Sequence, residues 1–352
     1  MTPGDRVLLL CARQDFLEVH REAVERLAAE HAMRWPRLLA TAETHGVLPI
    51  VGANLRRCDP GRIGLPEPIR ARLELVVLEN AAAREREDHW LASCLARLRE
   101  SELDAMLLKS SALALGVYEE PWVAAANDID LALRPRPGWR KGEGVERRLR
   151  RELYTSGVEC DLDGHHDVTL DGVLPIDFDR IWREARQLSF RGVPAWTMSP
   201  EDQLVALCVN ACRKRYFRLK CLFDLAETLR RGERLDPGRL AALARGGHCE
   251  GIVYAALVAA RDAVGAALPT GLLDALRLPP ARARLLERLV TACLRYSGLG
   301  RPGHRVLTAL LVLASVRARV ALRAIALTPR QRVRSRRKRR RLRVEGHVAA
   351  AG

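Results

Sequence analysis

Aromatic residues are scarce in this chain of 352 residues, at 5% of the sequence. Apolar residues as a class reach 48%, a typical share for globular proteins, so the core must rest on Leu, Ala and Val rather than on large rings. Such a composition favours helices. The length also exceeds the roughly 250 to 300 residues at which single cores usually stop growing, which predicts two or three domains.

Paired cysteine motifs are missing. The nine cysteines are scattered along the chain, an odd number with no C-x-x-C pair and no associated histidine spacing, which argues against a zinc site. Cys208 and Cys212 are four residues apart and would share one helix face as small buried apolar residues. We expect reduced thiols and a cytoplasmic protein.

Long uninterrupted apolar runs are also missing. The short run from Val7 to Ala12 is followed at once by charged residues and has no cleavage-like segment, so we predict no signal peptide. The stretch from Val306 to Leu327 is broken by three arginines and is too polar for a membrane span of ~20 apolar residues. A packed helix or an interfacial helix fits this stretch better, and the second would place the protein peripherally at a membrane.

Lysine is rare, with five positions in the chain, although the net charge is +16. The charge is mostly a property of the segment from Arg330 to Arg343, which holds ten basic residues. That segment lacks aromatic residues, so it suits attraction to nucleic-acid phosphates or to anionic lipid better than base stacking. The alternative for this segment is a disordered solubilising tail. The use of arginine in place of lysine could equally reflect a GC-rich genome rather than a function.

Helical periodicity marks both ends of the chain. Apolar residues recur at helical spacing from about Asp15 to Leu55 and from Glu67 to Leu103, while the Gly- and Pro-rich segment from Arg56 to Pro68 predicts a loop between them. Ser199-Pro200-Glu201-Asp202 combines an N-cap serine, a proline at the first helical position and an acid at the third. This predicts a helix start, after which helices dominate to Leu327.

Short strands are predicted between the two helical parts. Ala105 to Leu108 is an apolar run ended by Lys109-Ser110-Ser111 and followed by Ala112 to Leu115, which predicts a strand, a turn and a helix. Asp128 to Leu133 alternates acidic and apolar residues with period two. This predicts a strand that carries two acids on one face.

A β-hairpin is predicted from His166 to Asp177, because Asp171-Gly172 at its centre suits the positive φ angles of a two-residue turn. In that register His166 faces Asp177. Pro175 favours an edge strand or a bulge, and a bulge would shift the register and separate the two residues.

The acidic residues of these strands are candidates for a metal site. Asp128 and Asp130 project from one strand face and can converge on a hard cation, and Asp177 on a neighbouring strand would complete an oxygen-rich cage suited to Mg²⁺. The small turn at Ser110-Ser111 leads into a helix N-terminus, where free N–H groups can receive phosphate. An Asp-x-Asp strand alone also occurs at solvated strand edges, so the order of the parts carries the interpretation.

The predicted architecture is an α+β fold in several parts. It consists of a helical N-terminal region (residues 1–100), a small mixed β-sheet core (101–198) and a helical C-terminal domain (199–328). A basic tail (329–352), predicted to be disordered, follows.

The order of these parts resembles nucleotidyltransferases of the DNA polymerase β superfamily and, more closely, a bacterial family described as uncharacterised nucleotidyltransferases. The resemblance covers roughly residues 30 to 235. The corresponding segments are Leu108-Lys109-Ser110, Asn127-Asp128-Ile129-Asp130-Leu131, Pro175-Ile176-Asp177-Phe178-Asp179, and the helical segment from Ser199 to Asp224-Leu225-Ala226.

This resemblance implies a metal-dependent transfer of a nucleoside monophosphate from a nucleoside triphosphate to a hydroxyl group of an acceptor. It implies Asp128, Asp130 and Asp177 as ligands of Mg²⁺, for which Mn²⁺ can substitute. Asp177 would also help to deprotonate the acceptor hydroxyl. Lys109, Ser110 and Ser111 would contact the phosphates of the nucleotide; for Lys109, a lysine with its ammonium at the surface is the alternative.

The chain also departs from the family pattern. Ser110 stands where the family usually has Gly, Asp179 replaces a His, and Asn127 lies where the family tends to carry Arg and a small residue. The three metal-binding positions survive, so we expect activity. The alternative is a catalytically degenerate binding protein of the same fold that uses its basic tail for nucleic acid or anionic membrane.

Two further groups of polar residues have competing interpretations. His165 and His166 are expected to be partly exposed or hydrogen-bonded within the sheet rather than metal ligands. The basic run from Arg213 to Arg218 is either a solvated helix face or, folded over the site, a surface for the triphosphate or an acidic acceptor.

Overall fold

The computed structural model describes residues 1–123, 128–136, 159–161, 168–170, 172–231, 234–296, 302–317 and 320. For residues 128, 159–161, 296 and 302–304 it describes the backbone only. The sequence also predicts a helix through residues 145–154. That segment, the pair His165 and His166, and the basic segment from Arg330 to Arg343 lie outside the described residues.

Helices precede the sheet in the chain, as predicted. They are α1 (Pro3–Cys11), α2 (Glu18–Glu30), α3 (Trp35–Thr44), α4 (Leu48–Leu55), α5 (Pro60–Ile63) and α6 (Glu67–Glu100). The segment predicted as a loop contains the one-turn helix α5, because Asp59 accepts hydrogen bonds from the N–H groups of Gly61 and Arg62 and Pro60 occupies the first helical position.

The strands form one mixed sheet in the order β3–β2–β1–β5–β4. They are β1 (Leu103–Leu107), β2 (Asp128–Pro135), β3 (Glu159–Asp161), β4 (Arg186–Phe190) and β5 (Val193–Thr197). β1 runs antiparallel to β2 and parallel to β5, β2 runs parallel to β3, and β4 runs antiparallel to β5. With the helices on either side, this small sheet gives the α+β fold that the sequence predicts.

The predicted hairpin from His166 to Asp177 is wrong for the part of it that the structure describes. Gly172 has the positive φ of +81° expected of an Asp-Gly turn, and the Leu174 N–H donates to the Thr169 carbonyl at 2.9 Å. No strand flanks this turn among residues 168–170 and 172–177. Pro175 has no N–H to offer a neighbouring strand, and Asp177 instead begins a helix.

A hairpin does form where the sequence analysis placed none. β4 and β5 are joined at Arg191 and Gly192, which have φ angles of +48° and +83°. Both values suit a two-residue hairpin turn. Apolar residues alternate on both sides of this turn, at Leu188, Phe190, Val193 and Ala195, so a local signal for the hairpin was present.

The remaining helices follow β1 or the later strands. They are α7 (Lys109–Leu113), a 3-10 helix (Pro121–Val123), α8 (Phe178–Arg183), α9 (Pro200–Arg213), α10 (Leu219–Arg231), α11 (Pro237–Gly246), α12 (Glu250–Val264), α13 (Leu272–Ala275), α14 (Pro280–Tyr296) and α15 (Pro302–Ser315). The predicted start of α9 is confirmed, since the Ser199 hydroxyl accepts the Asp202 N–H. In the described part of the chain, no helix combines the length and apolarity that crossing a membrane requires.

The two faces of the sheet pack against different helices. Ile129 and Leu131 of β2 join a cluster with Leu95 of α6. Ala132, on the other face, joins a cluster with Trp182 of α8. Because side chains alternate along a strand, Asp130 shares the α8 face with Ala132.

The largest hydrophobic cluster unites the first and the last helices of the described chain. It contains Val7 of α1 and Val51 of α4 together with Leu222 of α10 and Leu257 of α12, all 0% exposed. The helical regions on the two sides of the sheet therefore share one core. This core also includes Leu113 of α7 and Tyr118, so it joins the N-terminal and C-terminal helices around the segment that follows the turn at Lys109.

Candidate active site

Asp130 lies near the beginning of β2 and is buried, with 4% of its surface exposed. Its main-chain carbonyl accepts the Leu108 N–H at 3.1 Å, which ties the acidic strand to the residue that precedes the turn. Asp128 is two residues earlier on the same strand. The sequence prediction of a strand through this acidic pair is therefore confirmed.

Lys109 connects the turn to the acidic strand. Its Nζ lies 2.9 Å from Asp130 Oδ2, and both side chains are largely buried. The Lys109 backbone has a φ of +47°, a left-handed conformation that is uncommon for a residue with a Cβ. This conformation turns the chain from β1 directly into α7 and leaves the ammonium group beside the carboxylate.

Ser110 contacts the C-terminal helices through its hydroxyl. Lys220 of α10 donates from Nζ to Ser110 Oγ at 3.1 Å. The same ammonium lies 2.6 and 2.8 Å from the two carboxylate oxygens of Asp224, and it donates to Tyr118 Oη at 2.9 Å. The Ser110 side chain is thus held by a buried lysine.

Tyr118 completes this network. Its hydroxyl donates to Asp224 Oδ1 at 2.5 Å, and its ring centroid lies 5.3 Å from Lys220 Nζ. Burial raises the pKa of Tyr118 well above its usual value, and the neighbouring Asp224 raises it further. The phenol therefore keeps its proton and remains a donor to Asp224.

A turn of the N-terminal helical region fixes the start of α10. The N–H of Leu219 donates to His45 Nδ1 at 3.2 Å, and the N–H of Lys220 donates to the His45 carbonyl at the same distance. Gly46 has a φ of +69°, and a Cβ there would lie 3.5 Å from the Lys220 side chain. The position of Lys220 thus depends on residues far from it in the chain.

The basic segment Arg213–Arg218 lies close enough to the turn to affect it electrostatically. Lys214 is exposed, and the burial of part of its side chain lowers its pKa. The positive charges of Arg213, Arg218 and Lys109 lower the pKa of Lys214 further. Like charges repel when they are brought together, so an anion near Lys214 would be favoured there.

Ser111 differs from its neighbour in exposure. The residue is 2% exposed and packs within α7. Its side chain therefore faces the protein interior, so its hydroxyl is not accessible for the predicted contact with phosphate.

Asp177 is the N-cap residue of α8, so its predicted place on a strand is wrong. Its Oδ1 accepts the Arg180 N–H at 2.9 Å, and its Oδ2 lies 3.5 Å from Arg183. The side chain is 57% exposed, and the hydrogen bond from the Arg180 N–H lowers its pKa. Its neighbours Ile176 and Phe178 pack onto the cluster that contains Ala132, so this segment covers the sheet face of Asp130.

Another acidic residue takes the strand position expected for Asp177. Asp161 of β3 is the Cα partner of Asp130 in the parallel pairing of β2 with β3. Its side chain and that of Asp128 are outside the described atoms. Among the groups that the structure does describe, no cluster of three or more His, Cys, Asp and Glu residues could hold a metal ion.

Sequence reasoning placed Asp224 in a segment that resembles the family without assigning it a role, and it did not single out Lys220, Tyr118 or His45. Lys220 and Asp224 had a local signal, since they are four residues apart on one helix and lysine is rare in the chain. Tyr118 and His45 had none, because their partners lie more than a hundred residues away.

Comparison with known proteins bears on this arrangement. A family model described as "Uncharacterised nucleotidyltransferase" matches residues 31–265. The match spans the N-terminal helices from α3 onward, the whole sheet, and the C-terminal helices through α12. The searches of curated proteins and of solved structures gave no significant match.

Proposed function

Because the chain belongs to this family of uncharacterised nucleotidyltransferases, we propose that it moves a nucleoside monophosphate from a nucleoside triphosphate to a hydroxyl group of an acceptor. The observation that carries the proposal is the contact of Lys109 with Asp130 at 2.9 Å. It joins the turn that follows β1 to the acidic strand β2, the two parts that such a transfer needs side by side.

Divalent cation binding fits the residues at the start of β2. Carboxylate oxygens are the ligands that Mg²⁺ prefers, with Mn²⁺ as a second cation for the same donors. Asp130 is buried and already faces one positive charge, the Lys109 ammonium. We assign Asp128 and Asp130 as cation ligands; the bound cation would neutralise charge that develops on the triphosphate during transfer.

Cationic side chains surround the turn and suit the triphosphate. Lys109 and Lys214 lie near one another, and the second has a depressed pKa that a phosphate group would relieve. Ser110 and the backbone of Ser111 complete the proposed nucleotide contacts. Lys220 donates a hydrogen bond to the Ser110 hydroxyl, which keeps the CH₂–OH group of this side chain in one position.

We assign Asp177 as the third carboxylate of the site. Its segment covers the sheet face of Asp130; capping α8 engages Oδ1, while Oδ2 faces the exposed Arg183 at 3.5 Å. The lowered pKa keeps this carboxylate ionised, which favours its role as a ligand over its role as the base that deprotonates the acceptor. Asp161, the register partner of Asp130, is the rival for this place.

Replacing Asp177 or Asp161 with Asn tests which of the two is the third carboxylate of the site. Asp177→Asn should lower transfer at least tenfold while Asp161→Asn leaves most of it, since Asn retains the N-cap of α8 but removes the negative charge. The reverse ranking would move the third ligand to β3.

A second candidate is a binding protein of the same fold that does not catalyse transfer. The ion pair of Lys109 with Asp130 favours it, because this pair neutralises the acidic strand from within the chain. Such a protein would bind nucleic acid or an anionic membrane through its basic tail and would be indifferent to the removal of Asp128 or Asp130.

Labelled nucleotides test the transfer itself. The purified chain is incubated with Mg²⁺, an extract as the source of acceptors, and ATP, GTP, CTP or UTP labelled at either the α- or the γ-phosphate. Label from the α-phosphate should appear on an acceptor and label from the γ-phosphate in pyrophosphate. Asp128→Asn and Asp130→Asn should abolish both signals, and Arg339→Gln with Arg340→Gln in the tail should not. Label from the γ-phosphate on the acceptor, or transfer that survives both Asn variants, would refute the proposal.

A further inference from the structure

Helix α15 buries one side and exposes apolar residues on the opposite side. Leu311 on its inner side is fully buried, and Thr308 and Ser315 on the same side are 1% exposed. On the outer side, Val306 is 63% exposed and Leu313 is 65% exposed. The outer side of a packed helix is normally polar, so the exposed apolar residues of α15 need an explanation.

The outer residues form one continuous stripe. Val306, Leu310 and Leu313 have the spacing i, i+4 and i+7, which places them on one helix face. Leu310 is 47% exposed, so the stripe is open along its length. Contiguous exposed apolar surface of this kind marks a site of contact with a protein or a membrane.

Basic residues flank the stripe in the sequence. Arg305 is exposed at the start of the stripe. Further along the sequence, ten basic residues lie between Arg330 and Arg343. Stable peripheral binding to a membrane takes two signals, an inserted apolar surface and a cluster of basic residues attracted to anionic headgroups.

Nucleic acid and a second copy of this chain each match only one of these two features. The phosphates of a nucleic acid would attract the basic residues but give the leucines no apolar surface to contact. A second copy of this chain would cover the leucines but would bring two strongly basic segments together, which is unfavourable.

We propose that the outer face of α15, formed by Val306, Leu310 and Leu313, binds the surface of an anionic membrane. The helix lies in the plane of the headgroups with these three side chains directed into the bilayer, and the basic segment supplies the attraction to acidic lipid. This inference does not depend on the proposed transfer reaction.

Co-sedimentation with lipid vesicles tests the proposal. The full chain is mixed with vesicles of phosphatidylcholine alone or of phosphatidylcholine with phosphatidylserine. The wild type should bind the second kind and leave the first mostly unbound. Leu310→Gln with Leu313→Gln should weaken binding by about tenfold or more, since both side chains lose their transfer into the bilayer.

A matched control is present on α6. Leu75 and Leu78 are 54% and 66% exposed, so Leu75→Gln with Leu78→Gln removes the same amount of apolar side chain elsewhere on the surface. This variant should bind vesicles as the wild type does, and both variants should keep the circular dichroism spectrum of the wild type.

Three results would overturn the proposal. One is equal vesicle binding by the wild type and by Leu310→Gln with Leu313→Gln. Another is retention of the wild type on RNA with none on anionic vesicles, which would assign the basic segment to nucleic acid. The third is a dimer in solution that Leu310→Gln with Leu313→Gln dissociates, together with no vesicle binding, which would assign the stripe to a second copy.

Discussion

Lys109 combines an unfavourable backbone conformation with a favourable contact. Its φ of +47° is one that Gly adopts most easily, yet only a long cationic side chain can reach Asp130 from this position. The same ammonium lies among the cations that depress the pKa of Lys214. Lys109 therefore contacts an acidic group, Asp130, and acts on a basic group, Lys214. A lysine in this position can pair with the carboxylate or with a phosphate.

Lys109→Met tests the place of the cation at Asp130. In metal-free buffer this change should lower the free energy of unfolding by about 3 kcal/mol, because it removes the ion-pair partner of a buried carboxylate. Mg²⁺ should then stabilise the variant more than it stabilises the wild type, since the cation takes the place of the ammonium. Urea unfolding with and without Mg²⁺ measures both effects. Equal stabilisation of the two proteins by Mg²⁺ would argue against a cation at Asp130.

The pH dependence of stability tests the local role of Asp177. Its folded pKa is lowered, so its contribution to stability is present above the unfolded pKa of about 3.9 and is lost as the pH falls through the folded pKa. Asp177→Asn keeps a capping side chain without a titrating carboxyl group. Unfolding midpoints measured through the acid range should therefore fall less steeply with decreasing pH for this variant. Parallel curves would show that the hydrogen bond from the Arg180 N–H does not hold Asp177 in solution.

Among the elements, α10 is the one that links the turn to the rest of the molecule. Its first turn is fixed by His45, and Lys220 joins Asp224, Tyr118 and the Ser110 hydroxyl. The helix itself is predictable from its apolar spacing. Its contacts are not, since Ser110 and Tyr118 lie 110 and 102 residues away in the chain and leave no local pattern.

Two variants of α10 measure how much the ion pair of Lys220 with Asp224 stabilises the fold. Lys220→Met alone leaves a buried carboxylate and should lower the free energy of unfolding by ~3 to 5 kcal/mol. Lys220→Met with Asp224→Leu removes both charges and should recover most of that loss. Chemical denaturation gives these values. A double variant less stable than Lys220→Met would mean that Asp224 has another essential contact.

The strands show where local patterns succeed and where they fail. The alternation from Asp128 to Leu133 predicts β2 correctly, because Ile129 and Leu131 pack on one sheet face while Asp130 lies on the other, which keeps the period of two. Asp171-Gly172 predicts a turn, and Gly172 does have a positive φ, yet no strand flanks the turn in the described residues. Turn chemistry fixes the local backbone, whereas strand pairing needs a partner with free N–H and carbonyl groups, which Pro175 cannot fully provide.

At the scale of the whole molecule, one core joins helices from both ends of the described chain. Val7 and Val51 belong to the same cluster as Leu222 and Leu257. Periodicity indicates which residues of a helix are buried but not which other helix covers them, so this shared core has no signature in the sequence. Its consequence is that His45, far from the sheet in sequence, helps to place Lys220 beside the turn.

The same limit applies to the acidic site. The pair Asp128 and Asp130 follows from spacing on one strand, but the identity of the third carboxylate depends on which strand lies beside β2. That place belongs to β3 with Asp161, while Asp177 caps α8 over the same sheet face. Only the folded chain distinguishes these two ways of bringing an acid near Asp130.

Titration calorimetry tests the central claim most directly. Non-hydrolysable analogues of ATP, GTP, CTP and UTP are titrated into the wild type and into Asp130→Asn, each with Mg²⁺ and with EDTA. The wild type should bind the nucleotide in Mg²⁺ and lose at least tenfold in affinity in EDTA, because cation and triphosphate bind together at the start of β2. Asp130→Asn should bind weakly in both buffers while keeping the fold of the wild type. Binding by Asp130→Asn that equals the wild type in Mg²⁺, or a wild type that binds none of the four nucleotides, would contradict the assignment of this site.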